Sequence, residues 1–219
     1  MNQSKVVAIV PAYNEERTVG KVVEVLVASA CFDEVVVVSD GSTDDTAKVA
    51  AASGARVLTS GKKSGKGAAL AFGVQETTAP LLAFFDADLL NLSLKHIEDL
   101  LAPVVSGEKA MFVGLHDRGV LNPFLRYLPL IGGERVMRRE VFEGVPSRFL
   151  QGFAVESALN YYCRSHGLPY GSVVLSGLTM RKKYQKVGWQ KGLWQYLKMT
   201  GEVAMAMVSV RAAKLFNKF

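Results

Sequence analysis

Unbroken apolar runs alternate with segments of helical period along the first half of the chain. Residues 6–10 and 35–38 are continuous apolar runs rich in β-branched residues, the composition of strands buried on both faces. Between them Val19, Val22, Val23, Leu26 and Val27 recur at i, i+3, i+4, i+7 and i+8, which predicts an amphipathic helix and a first βαβ unit. A second helix is predicted over residues 43–53, with Ser42 or Thr43 as N-cap, Asp44 and Asp45 in its first turn and Gly54 as its stop. A strand at 56–59, a helix at 67–76 and a strand at 81–85 continue the alternation. The second half is less regular: a helix at 94–105, a strand at 111–115, then a proline-containing loop with short helical turns at 116–131. Helices near 134–142 and 152–166, a strand at 172–175 and one or two helices in 189–219 complete the reading. The predicted class is α/β, a mostly parallel central sheet flanked by helices, with a C-terminal helical tail.

At 219 residues the chain fits one large domain, and 49% hydrophobic against 21% charged residues excludes disorder as its main state. The net charge of +6 raises nucleic acid, anionic membranes or phosphorylated substrates as partners. Its distribution narrows that choice. Residues 181–219 hold nine lysines and arginines and one glutamate, or +8, leaving −2 for residues 1–180, so a basic nucleic-acid-binding body is excluded. Cys31 and Cys163 read as reduced packing thiols. The opening MNQSKVVAIV lacks a secretory-leader pattern, and the longest apolar stretch, VAMAMV, is far below the roughly 20 residues that span a bilayer. A cytoplasmic protein is expected, with peripheral attachment to the cytoplasmic membrane face left open.

Ligands in open α/β sheets bind beyond the carboxyl ends of the strands, so polar residues that follow apolar runs are the candidate chemistry. Four consecutive strand ends carry Pro11-Ala-Tyr13-Asn-Glu15-Glu16, Asp40-Gly-Ser-Thr-Asp44, Lys62-Lys-Ser-Gly-Lys66-Gly67 and Asp86-Ala87-Asp88. The first loop lacks the G-x-G-x-x-G of dinucleotide folds. The third has neither the glycine spacing of a P-loop nor its Ser or Thr after the lysine. Asp86 and Asp88 are the sharpest feature. Carboxylates this close repel unless a proton or cation sits between them, and hard oxygen donors suit Mg²⁺ or Mn²⁺ completed by phosphate oxygens. A solvated turn ahead of the helix at Ser93 is the plain alternative.

VPAYNEE, VVVVSDGSTDDT, GKGAAL and FFDAD, in this order and spacing, resemble the nucleotide-sugar glycosyltransferases of the GT-A fold, specifically family 2 and its relatives. That resemblance implies a metal-dependent transfer of a sugar from a UDP- or GDP-sugar to an acceptor hydroxyl. It implies that Pro11, Ala12, Tyr13 and Glu15 border the nucleotide, that Asp40 bonds the base and that Lys66 and Ala87 lie near the donor. Asp88 becomes the main metal ligand, with Asp86 on the metal, sugar or ribose. Residues 1–188 form the GT-A domain, divided into a nucleotide-binding half (1–90) and an acceptor half (91–188), and 189–219 form a basic amphipathic tail.

The segment Gly132-Gly133-Glu134-Arg135, with Arg138, Arg139 and later Gly152 to Glu156, resembles the acceptor half of the glucosyl-3-phosphoglycerate and mannosylglycerate synthase branch. Gly133, Glu134 and Arg135 are thereby implied in acceptor binding, with a phosphorylated small molecule or a polyprenyl phosphate as acceptor, and Glu156 in orienting the acceptor or acting as its base. Where this family commonly places a third, histidine metal ligand, the sequence has Met180, a soft donor. Completion of the metal by water, or neutralisation of the diphosphate by Arg181, Lys183 and Lys186, are the alternatives, and His116 or His166 are substitutes to consider. Family 2 likeness implies inversion at the anomeric carbon, the phosphoglycerate branch retention. The tail serves core packing, a homodimer or a membrane surface. Two readings from other classes remain, a sugar-phosphate nucleotidylyltransferase and a non-catalytic nucleotide-sugar-binding protein. The former lacks its glycine-rich N-terminal loop here.

Overall fold

The computed structural model describes residues 5–116, 132–150 and 154–181. Lys183, Lys186, Gly152, the tail helices and all of the loop expected at 116–131 except His116, which ends a strand, lie outside the described residues.

Seven strands form one sheet in the order β3-β2-β1-β4-β7-β6-β8. They are β1 (Val6–Ala12), β2 (Glu34–Asp40), β3 (Arg56–Ser60), β4 (Leu81–Phe84), β6 (Met111–His116), β7 (Arg135–Arg138) and β8 (Tyr170–Leu175). The left part is parallel, as the βα repeats predict: β1 pairs with both β2 and β4, and β2 with β3. β7 runs antiparallel between β4 and β6.

Side-chain alternation sorts the apolar residues onto two faces. Val7, Ile9, Val36, Val38, Leu82, Phe84, Met111 and Val113 face α3 (Lys66–Gln75), the short α5 (Arg139–Glu143) and α6 (Ala154–Ser165). Val6, Ala8, Val10, Val35, Val37 and Ala83 face α1 (Val19–Ala28), α2 (Thr46–Ala52) and α4 (Leu94–Val105). Both faces are covered, which explains the unbroken valine runs. Ser93 caps α4 as its sequence position predicts, accepting from the His96 N–H.

Three expectations are corrected. The helix expected at 134–142 is instead β7 followed by α5. In Arg-Val-Met-Arg, Val136 and Met137 are both buried on opposite faces, and two flanking strands satisfy a backbone that a helix would have left out of the sheet. Helix α2 begins at Thr46 rather than 43, because Ser42 and Thr43 bond Asn14 and Asp44 accepts the Thr46 N–H at 3.1 Å. A two-stranded antiparallel ribbon, β5 (Leu89–Leu90) with β9 (Thr179–Met180), was not anticipated.

Candidate active site

The carboxyl ends of β1, β2, β3, β4 and β6 share one sheet edge, and antiparallel β7 brings its amino end to the same place. Lys66 opens α3 there. Its ammonium lies 2.7 Å from Asp86 Oδ1 and 2.9 Å from Glu156 Oε1, with all three side chains largely buried. Burial alone would push Lys66 down, but the charges and hydrogen bonds of Asp86 and Glu156 more than reverse it and hold the ammonium protonated well above its ordinary range. One cation thus joins the carboxylate at the end of β4 to the glutamate in the first turn of α6, which lies 90 residues beyond the lysine.

Gly133 is required beside this group. A Cβ there would collide with Asp86 Oδ2 and lie 2.8 Å from Lys66 Nζ, so the backbone touches the ion pair directly. Glu134 is fully buried and accepts from His116 Nε2 at 2.8 Å. Desolvation holds the Glu134 carboxyl above its usual range. Burial works against the His116 imidazolium, yet its bond to Glu134 and the nearby charges of Asp86 and Asp88 raise it overall. His116 follows an apolar run just as Asp86 does, and that signal identifies it as a member of this edge.

Arg135 is buried on the α6 side of the sheet, 1% exposed, and donates to the carbonyls of Gly132 and Glu156. Its guanidinium is therefore enclosed beneath the site rather than presented to an acceptor. Arg138 donates to the Gly107 carbonyl, and Arg139 to the carbonyls of Ala79 and Val74 and to Thr77. All three arginines thus donate to the protein's own carbonyls.

Asp88 lies one residue before β5, and the Arg181 N–H donates to its carbonyl at 3.0 Å. Met180 pairs with Leu89 across the ribbon. The ribbon thus sets the backbone of residues 180–181 beside Asp88. Asp86 and Asp88 are hard oxygen donors of the kind Mg²⁺ and Mn²⁺ take. Among the described residues no three His, Cys, Asp or Glu side chains converge into a protein-only cage. That donor set fits a hard cation held by one or two carboxylates and completed by substrate phosphate.

On the β1–β2 side Ala12 is buried, Pro11 half-buried and Tyr13 exposed, with Lys63 Nζ 3.6 Å above the Tyr13 ring. The Glu15 N–H donates to Thr46 Oγ1 at 2.8 Å, which ties this loop to α2. Asp40 is occupied: it accepts from the N–H groups of Ser64 (2.8 Å) and Gly65 (2.7 Å) and from the Ser60 hydroxyl. In this structure its carboxylate holds the 61–65 loop over the strand ends. Gly41, at φ +70°, lets that loop pass within a Cβ's reach of its backbone.

The sequence model described as Glycosyl transferase family 2 matches residues 7–160. The chain belongs to this family. Among family relatives it is 30% identical to glucosyl-3-phosphoglycerate synthase of Mycolicibacterium smegmatis over 69% of this chain and 61% of that protein. It is 35% identical to 4,4'-diaponeurosporenoate glycosyltransferase of Staphylococcus aureus over 50% of this chain and 31% of that one. The chain therefore spans less than two thirds of the length of these curated relatives. Its structure matches glucosyl-3-phosphoglycerate synthase from Mycobacterium tuberculosis in complex with Mn²⁺, UDP and glucosyl-3-phosphoglycerate. The TM-score is 0.79 at 27% identity, over 94% of this chain and 80% of that one. A complex of the same protein with Mg²⁺ and UDP gives a TM-score of 0.78 at 26% identity, covering 94% of this chain and 79% of that one. The fold is GT-A. No helix among the described residues is long and apolar enough to cross a membrane.

Proposed function

We propose that this chain is a metal-dependent glycosyltransferase that moves a sugar from a nucleoside-diphosphate-sugar to an acceptor hydroxyl. The observation that carries the reading is the Asp86-Lys66-Glu156 bridge, with Asp88 two residues beyond Asp86, at the edge where α/β sheets bind ligands. Homology to proteins that bind UDP, UDP-glucose and phosphoglyceric acid with Mn²⁺ supports it.

Asp88, with Asp86, would hold Mg²⁺ or Mn²⁺; when bound, the ion neutralises the charge that grows on the diphosphate as its bond to the sugar breaks. Tyr13, Glu15 and the backbone of Pro11 and Ala12 border the nucleotide, and Asp40 acts by positioning the 61–65 loop against it. Lys66 sets Asp86 and Glu156 on either side of the sugar position. Glu156 orients the sugar or the attacking hydroxyl, since a carboxylate held by an ammonium still has an oxygen free to accept a proton or hydrogen bond. Gly133 and Glu134 form the wall beside them. The acceptor class is a phosphorylated small molecule, and Arg181 with Lys183 supplies cations at the diphosphate. A cytoplasmic location, with the basic tail at a membrane surface or in a homodimer, completes the proposal.

Calorimetry of UDP- and GDP-sugars with Mn²⁺ tests the site. Asp88→Ala is expected to abolish metal-dependent donor binding, and unchanged affinity would refute the assignment. Product analysis tests the reaction: nucleoside diphosphate release supports sugar transfer, whereas free diphosphate identifies nucleotidyl transfer.

A further inference from the structure

We infer that Arg135 is a positioning residue that holds both sides of the Lys66 ion triplet from beneath the sheet. The inference rests on the proposed roles of Asp86, Lys66 and Glu156. Arg135 sits at the start of β7, opposite Phe84 of β4 and Val113 of β6, on the sheet face that α6 covers. Its Nη1 donates to the Glu156 carbonyl at 3.3 Å, and Nη2 donates to the carbonyl of Gly132.

Those two carbonyls belong to the two segments that close on Lys66. Gly132 precedes Gly133, whose backbone lies against Asp86 Oδ2 and Lys66 Nζ. Glu156 supplies the second carboxylate to Lys66. A planar fork reaches both carbonyls at once, which the single ammonium of lysine at the end of a flexible stem does not reproduce. The guanidinium also provides charge. Burial lowers its proton affinity, opposed by Glu156, Glu134 and Asp86, so its strongest electrostatic partners are the carboxylates of the site. Arg135 therefore fixes the distance between the β7 loop and the first turn of α6, and so the span between Asp86 and Glu156 that Lys66 bridges.

The residue acts through Glu156, and the test is a double-mutant cycle in donor turnover. Arg135→Lys keeps the charge and loses the fork; combined with Glu156→Gln it is expected to fall short of the product of the two single losses by about tenfold, the coupling of residues in one network. Combined with Tyr13→Phe, at an exposed side chain on the β1–β2 side of the site, the losses should multiply. Multiplicative losses with Glu156→Gln overturn the inference. A readout independent of turnover separates this result from failure of the glycosyltransferase reading: amide hydrogen exchange in Arg135→Lys should accelerate in the peptide spanning Glu156 and near Gly133 while β1 and β2 stay protected. Unchanged exchange at Glu156 counts against the clamp even in an inactive protein. If Arg135→Lys fails to fold, Arg135→Ala refolded with and without guanidinium ion replaces it, with restored protection at Glu156 expected and its absence contrary.

Discussion

Lys66 has two carboxylate partners in a nearly dry site, and removing one member of such a group leaves the others without compensation. Lys66→Met strands Asp86 and Glu156 side by side, and urea denaturation at pH 7 should show a loss of about 3 kcal/mol. The pH dependence has a defined sign. Because the folded state raises the Lys66 pKa above its ordinary 10.5, the stability it confers is complete below that pH and is lost as pH climbs beyond it. The gap between wild type and Lys66→Met should thus be constant from neutral pH to about 10 and shrink above 10.5; a gap that widens there contradicts the assignment. Cys163 shifts in the same direction for a different reason. Its thiol is buried and pushed up to about 11 by desolvation, which suits the packing role read from the sequence.

Helix α3 carries Lys66 at its start, and its placement depends on how closely it approaches the sheet. A Cβ on Gly73 would stand 2.7 Å from Ile9 Cγ2 and 3.1 Å from Val38 Cγ2. Gly→Ala in a helix ordinarily gains up to about 1 kcal/mol, whereas forcing extra volume into a packed core costs about 1 to 3. The second effect wins, so Gly73→Ala should lower thermal stability despite its better helix propensity, and a raised melting temperature would show that α3 rides higher on the sheet. The same contrast between local preference and packing governs β7. Residues 134–142 read as a helix in the sequence, yet the vacancy between β4 and β6 draws residues 135–138 into strand pairing and leaves α5 only five residues.

The parallel strands β3, β2, β1 and β4 share one sheet with β6 and β8, and β7 is the seam. Without it β4 becomes an edge, and Leu82 and Phe84, buried at 0% and 1%, lose their cover. Helix α4 also rests on β6 and β7. A fragment of residues 1–108 is therefore expected to lack a cooperative thermal transition, although it contains most of the family's motifs. A sharp calorimetric transition from that fragment would mean that residues 1–90 are a domain in their own right. The charge asymmetry operates at this size too: the acidic strand ends need a cation that Lys66 supplies in part, while the +8 segment begins at Arg181, against Asp88.

Much of this was legible from the sequence because the signals are local. Valine runs of strand length, a 3.6 period between them, and polar residues at run ends specified the parallel βα units and the edge where Tyr13, Glu15, Asp40, Lys66, Asp86 and Asp88 gather. Their family likeness followed from the same short strings. Strand order is not a local property. The antiparallel insertion of β7, the pairing of Lys66 with Glu156, the inward turn of Arg135 and the use of Asp40 as a clasp for residues 61–65 all join segments 20 to 90 residues apart. Such contacts depend on which edge is open and which carbonyls and charges lie within reach once the chain has closed, and periodicity along the chain encodes neither.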